Sequence, residues 1–197
     1  AFNHAIIRRW WICPSVQICT VSYSFVQSTS KNGMARCLLY WAGMRLQKQG
    51  YNECQLATIA VLADVPLERV RKRALVIGSE MTGKSLAAWN DIFNTGKFWP
   101  VIAKVAKHYG LYTLAQMACL MSWDMWIPFT SSSTPDLSGR GQLSVFWDKG
   151  DAHAMAFKDG LIYDSNEDRP MTWEDWNSTT KERYGGRVVV KFIVTKL

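Results

Sequence analysis

Residues 54 to 63 read CQLATIAVLA, a stretch with no charge and only Gln55 and Thr58 to face water. A helix that is apolar on every side is stable only when neighbours cover it all round, so this segment predicts a central helix with a domain built about it. Asn52 stands just before it as the candidate N-cap. Pro66 suits a first helical position, and Leu67, Val70, Ala74 and Leu75 recur behind it at helical spacing. Further helices are expected at about 85 to 94 and at 98 to 109, the second closed by Gly110. The apolar stretch 111 to 129 is interrupted by Gln116, Asp124 and Pro128. It therefore reads as a buried helix and its exit rather than an integral membrane span, which needs about 20 apolar residues.

After the loop-like TSSSTPDLSGRGQ (130 to 142) the pattern changes. LSVFW (143 to 147), AHAMAF (152 to 157), LIYD (161 to 164) and RVVVKFIV (187 to 194) have strand composition, with a short helix expected at 172 to 177. Helices first and an antiparallel sheet last define an α+β fold.

The formal charge of +7 is unevenly placed. Up to Asn52 there are six basic residues and no acidic one, whereas from Glu53 onward 17 basic residues face 16 acidic ones. A nearly neutral body argues against a dedicated nucleic-acid groove, and the basic run from Arg69 to Arg73 fits the solvated face of a helix. Residues 1 to 33, with Arg8 and Arg9 ahead of an uncharged stretch, read as an N-terminal extension or a pro- or targeting-like segment. The working domain is then expected over 34 to 197, starting near Met34 or Met44. Five Cys without a CxxC pair and three scattered His signal neither a disulfide framework nor a zinc site, so the body reads as a reduced soluble domain that implies no metal and no cofactor.

Two motifs compete to carry chemistry. GSEMTGKS (78 to 85) matches the phosphate-binding pattern GxxxxGK[ST], with Lys84 and Ser85 serving phosphate and magnesium. Such a loop must follow a buried strand, yet LERVRKRALVI before it has a helical period; the bland reading is a Gly-flanked loop between two helices. The second is Cys54, which at the first turn of a helix gains from unpaired amides and the helix dipole. Asp159 and Gly160 are the preferred pair for a two-residue hairpin turn, which sets Lys158 against Leu161, Phe157 against Ile162, Met155 against Asp164 and His153 against Asn166. His153, Asp164 and Asn166 then share one sheet face, so an imidazole and an acid or amide to orient it come together. A Cys nucleophile requires that set.

With NECQLATIAVL followed much later by GDAHAMAFKDGLIYDSN, the chain resembles the papain-like cysteine peptidases, and among them the bacteriocin-processing peptidases of bacterial and phage type. The likeness covers roughly residues 46 to 195. It implies a papain-like fold and hydrolysis of a peptide or isopeptide bond in a peptide or protein substrate. Cys54 would be the nucleophile, His153 the base and Asp164 its orienting group, with Asn166 the competing choice. The family places a Gly after the Cys, where this chain has Gln55, and an oxyanion-hole Gln about six residues before it, where this chain has Lys48. Gln49, ahead of Gln47, is expected in that role beside the Cys54 amide. A non-catalytic module of the same fold and a nucleotide-binding protein are the alternatives.

Overall fold

The computed structural model of the 197-residue chain describes residues 44–50, 52–122, 134–148, 152–183 and 189–197, together with the backbone of three strands before them. The chain divides into two units, Ala1–Gly43 and Met44–Leu197. In the first, β1 (Ile6–Arg9), β2 (Val21–Ser28) and β3 (Arg36–Leu39) form an antiparallel sheet in the order β1-β2-β3. Ile6 lies opposite Ser24 and Phe25 opposite Leu39. The division thus falls after Gly43, beyond the 33/34 boundary read from the sequence and at the later of the two starts, Met44.

The second unit has the α+β order expected. Helices α1 (Cys54–Ala63), α2 (Leu67–Thr82), α3 (Trp89–Phe93), α4 (Phe98–His108) and α5 (Tyr112–Ser122) precede strands β4 (Arg140–Trp147), β5 (Ala152–Lys158) and β6 (Leu161–Tyr163), then α6 (Trp173–Arg183) and β7 (Val189–Lys196). The sheet order is β6-β5-β4-β7, antiparallel throughout. Among the described residues no helix is long and apolar enough to cross a membrane.

Every residue of α1 from Gln55 to Leu62 is buried, the polar Gln55 and Thr58 included, as a helix apolar almost all round demands. Each fully covered Leu or Ile there contributes roughly 1.5–3 kcal/mol. The helix stops at Asp64, whose φ of 52° is left-handed. The corner into α2 is held by Gln47, whose Nε2 donates to the Val65 carbonyl at 2.5 Å while its Oε1 accepts from the Leu67 amide at 2.6 Å.

Helix α2 runs to Thr82, so the first five residues of GSEMTGKS are helical and Gly83, at φ 67°, is the C-cap. The loop expected there begins only after them, and the segment follows a helix where a phosphate cradle would need a strand. Gly78 is buried within α2 because α3 passes close: a Cβ there would sit 2.9 Å from Ile92 Cδ1. The glycine is a packing residue.

Alternation along β5 sends its side chains into two hydrophobic clusters. Ala156 faces the helices and joins Leu56, Ile59, Val70, Ile102 and their neighbours. Met155 and Phe157 face the other way and pack with Leu143, Ile162, Trp173 and Trp176. Asp159 (φ 49°) and Gly160 (φ 86°) make the expected two-residue turn, and Lys158–Leu161 and Phe157–Ile162 pair in the expected register. That pairing ends one step later, at Ala156–Tyr163, because β6 is only three residues long. Asp164 and Asn166 leave the sheet and form no strand pair with Met155 and His153.

Candidate active site

Cys54 is the first residue of α1, but Asn52 does not cap it: Asn52 has φ 58°, and the cap position belongs to Glu53, whose side chain makes no capping bond. The Glu53 carboxylate turns elsewhere. It accepts from the Gly50 amide at 2.6 Å and from Arg71 of α2 at 2.7 Å (Nε) and 2.8 Å (Nη2). These bonds, the Arg71 ones above all, hold the buried acid below its ordinary range against the opposing effect of burial. With no side chain capping the helix, its first-turn amides are left unpaired, and the Gln55 amide is one of the groups that favour a thiolate at Cys54.

A second amide that favours the thiolate comes from the sheet. Since β6 ends at Tyr163, β5 from Ala152 to Met155 has no strand neighbour on that side among the described residues, and Ala154, whose amide acts on the thiol, lines the same cavity as Cys54. Burial pushes the Cys54 thiol up, but the hydrogen bond and charge of His153 together with these two amides prevail and hold it below its ordinary value.

His153 opens β5 next to Ala152 and is 7% exposed. Its Nε2 donates to Asp164 Oδ1 at 2.8 Å, which leaves Nδ1 for Cys54. Asp164, 1% exposed, also accepts from the Asn166 amide at 2.9 Å (Oδ1) and from Trp176 Nε1 at 2.7 Å (Oδ2). Three donors keep this buried carboxyl ionised although desolvation alone would raise it. Burial by itself would likewise lower His153, but the bonds to Asp164 and Cys54 push it up to about 10. The ring stacks on Trp147 with centroids 6.2 Å apart. The shifts thus run in the direction that favours a thiolate beside an imidazolium and a carboxylate.

The geometry brings together three of the four expected residues. Asn166 meets Asp164 through its main-chain amide, so the carboxylate, not the carboxamide, is on the imidazole. Gln49 stands apart: its Oε1 accepts from Ser165 Oγ at 2.7 Å, and it is not among the residues around the cavity at Cys54. Lys48 ion-pairs with Asp168 at 2.7 Å, so this segment braces the loop after Asp164 rather than an oxyanion. Gln47 is committed to the α1–α2 corner. Of the expected oxyanion donors, the Cys54 amide at the start of α1 remains.

Sequence reasoning did not find the Glu53–Arg71 pair, the Ala154 amide, Trp176 on Asp164, or the polar pair Gln142 and Ser144 of β4, which lines a cavity of about 230 Å³ beside Cys54 and His153. Gln142 alone left a signal, as a polar residue just before an apolar strand. Cys54 and Cys119 are both free thiols, and among the described residues no group of three or more His, Cys, Asp or Glu is placed to hold a metal. Comparison with protein-family models, with curated proteins and with solved structures finds no match to this chain.

Proposed function

We propose that Met44–Leu197 is a papain-like domain that hydrolyses a peptide or isopeptide bond by thiol-dependent acyl transfer. The observation that carries this reading is the convergence of Cys54 and His153 on one cavity, with His153 bonded to Asp164 at 2.8 Å and these two buried while the thiol stays partly open to solvent. Cys54 Sγ attacks the carbonyl carbon, and the carbonyl oxygen gains charge beside the Cys54 amide. As the C–N bond breaks, His153 gives its proton to the leaving amine. Neutral His153 then takes a proton from water, whose oxygen attacks the thioester and returns the thiol and a free carboxylate. Asp164 holds the imidazole in the tautomer this requires.

Iodoacetamide near pH 6 followed by peptide mapping tests the reading. Cys54 should be alkylated before Cys119, which is exposed, and before Cys13, Cys19 and Cys37. Preferred labelling of any other thiol refutes it. A binding module of the same fold is the second reading, favoured by the tie of Gln49 to Ser165, since one missing oxyanion donor lowers rate by ~100- to 1,000-fold. Rapid alkylation of Cys54 without turnover of any peptide in a random library would establish that alternative.

A further inference from the structure

The cavity beside Cys54 and His153, about 230 Å³, is smaller than the ~300–1,000 Å³ of sites for drug-sized ligands and is of a size for one side chain. Phe98, Trp99 and Ile102 of α4 and Leu114, Met117 and Met121 of α5 make its apolar walls. Facing them, β4 presents Gln142 and Ser144, alternate residues on one sheet face. Gln142 is 5% exposed. Its Nε2 donates to Ser144 Oγ at 2.9 Å, whereas its Oε1 is buried without a hydrogen-bond partner among the described residues. The Ser144 hydroxyl accepts that bond and keeps its own proton to donate. One acceptor and one donor therefore stand side by side opposite walls of rings, aliphatic groups and thioethers, in a cavity that Asn52, Gln55, Cys54 and His153 also line.

Side chains differ in how well they meet that pair. An aliphatic group or an unsubstituted ring would leave the buried oxygen unsatisfied, an indole donates but cannot accept, and a carboxamide brings more polar capacity than two groups can match. A phenol both donates and accepts, and its ring suits the aromatic walls. We propose that this cavity is the specificity pocket for a tyrosyl side chain of the substrate, whose hydroxyl donates to Gln142 Oε1 and accepts from Ser144 Oγ.

The inference rests on acylation at Cys54, and its test separates the two. Chloroacetamides of tyramine and of 4-hydroxybenzylamine are compared with those of phenethylamine and benzylamine, each alkylating Cys54 as the sulfur–carbon bond forms and chloride leaves. At one spacer length or the other, the hydroxylated probe should react about tenfold faster than its deoxy partner. That ratio should fall toward one in Gln142→Met and in Ser144→Ala. Because it is taken within each variant, any change in thiol reactivity common to both probes cancels, and if Gln142→Met does not fold, Ser144→Ala carries the test. A ratio near one in the unaltered protein at both spacers overturns the pocket assignment, as does a ratio that survives the substitutions. Iodoacetamide has no ring, so its failure to prefer Cys54 refutes the peptidase reading by a separate route.

Discussion

Asp164→Asn keeps the size of a side chain that is 1% exposed and removes only its charge and one acceptor. In the native protein both carboxylate oxygens face donors: His153 and the Asn166 amide on Oδ1, Trp176 on Oδ2. A carboxamide has a single oxygen, so its NH₂ must confront either the imidazole N–H or the indole N–H. A hydrogen bond to a charged group is worth ~1.5–3 kcal/mol, which converts to a ~10- to 150-fold smaller population of the thiolate–imidazolium pair. The direction follows from charge. Without the anion, His153 drops from about 10 and Cys54, deprived of the imidazolium, rises. The assay is the rate of iodoacetamide alkylation of Cys54 across pH 5 to 9, read by mass spectrometry on protein whose fold is verified by circular dichroism. The unaltered chain should react at pH 6, and the Asn variant should be slower there by roughly the factor above, with its profile moved to higher pH. Peptide turnover by the unaltered chain should be lost as pH rises through about 10, where His153 gives up its proton, and the variant should lose it earlier. Asn166→Ala retains the main-chain amide that Asp164 uses and should leave the profile in place. An unchanged profile in a folded Asp164→Asn protein would refute the reasoning.

Arg71→Met strands the buried Glu53 carboxylate and should cost about 2–3 kcal/mol in urea unfolding, less than the ~3–5 kcal/mol of a fully buried pair because Arg71 is 31% exposed. Glu53 is held below its ordinary 4.5, so its share of stability is present above that pH and is lost on further acidification; the Met variant should lack this acid-dependent loss. Gly141→Ala places a Cβ 2.1 Å from the Thr195 carbonyl oxygen and 2.9 Å from the Phe157 ring, forcing β4 from β7, and should destabilise by more than about 2 kcal/mol on thermal melting. ATP with magnesium should leave the melting temperature unchanged, since residues 78–82 are helical; a shift equivalent to ~2.7 kcal/mol at a hundredfold excess over Kd, abolished by Lys84→Ala, would reverse that conclusion.

Local chemistry was legible where neighbours in sequence decide the outcome. The bounds of α1 follow from an apolar run that admits no solvent-facing side, and the β5–β6 register from Asp159–Gly160, which leaves the chain one turn to make. That register brought Asp164 within reach of His153 even though β6 stops short of both. Where side chains from distant segments compete for the same backbone, sequence misleads. Asn52 has the composition of a cap, but Glu53 takes the position and spends its carboxylate on Arg71, 18 residues away. Gln49 has the right residue type near the right offset, but Ser165, 116 residues on, engages it. Gly78 and Gly83 satisfy a phosphate pattern for two unrelated reasons, close packing against Ile92 and the end of a helix.

The Ala154 amide favours the Cys54 thiolate from the open edge of β5, which makes a strand edge part of the thiol's chemistry. Fraying of β5 near Ala152 would expose that amide to solvent and in the same event take a donor from the sulfur. Isotope exchange at the Ala154 amide and loss of thiolate character at Cys54 are therefore two readings of one opening equilibrium. As temperature rises, nucleophilicity should fade over the range in which this edge melts locally, ahead of the cooperative collapse of the two hydrophobic clusters on either side of it.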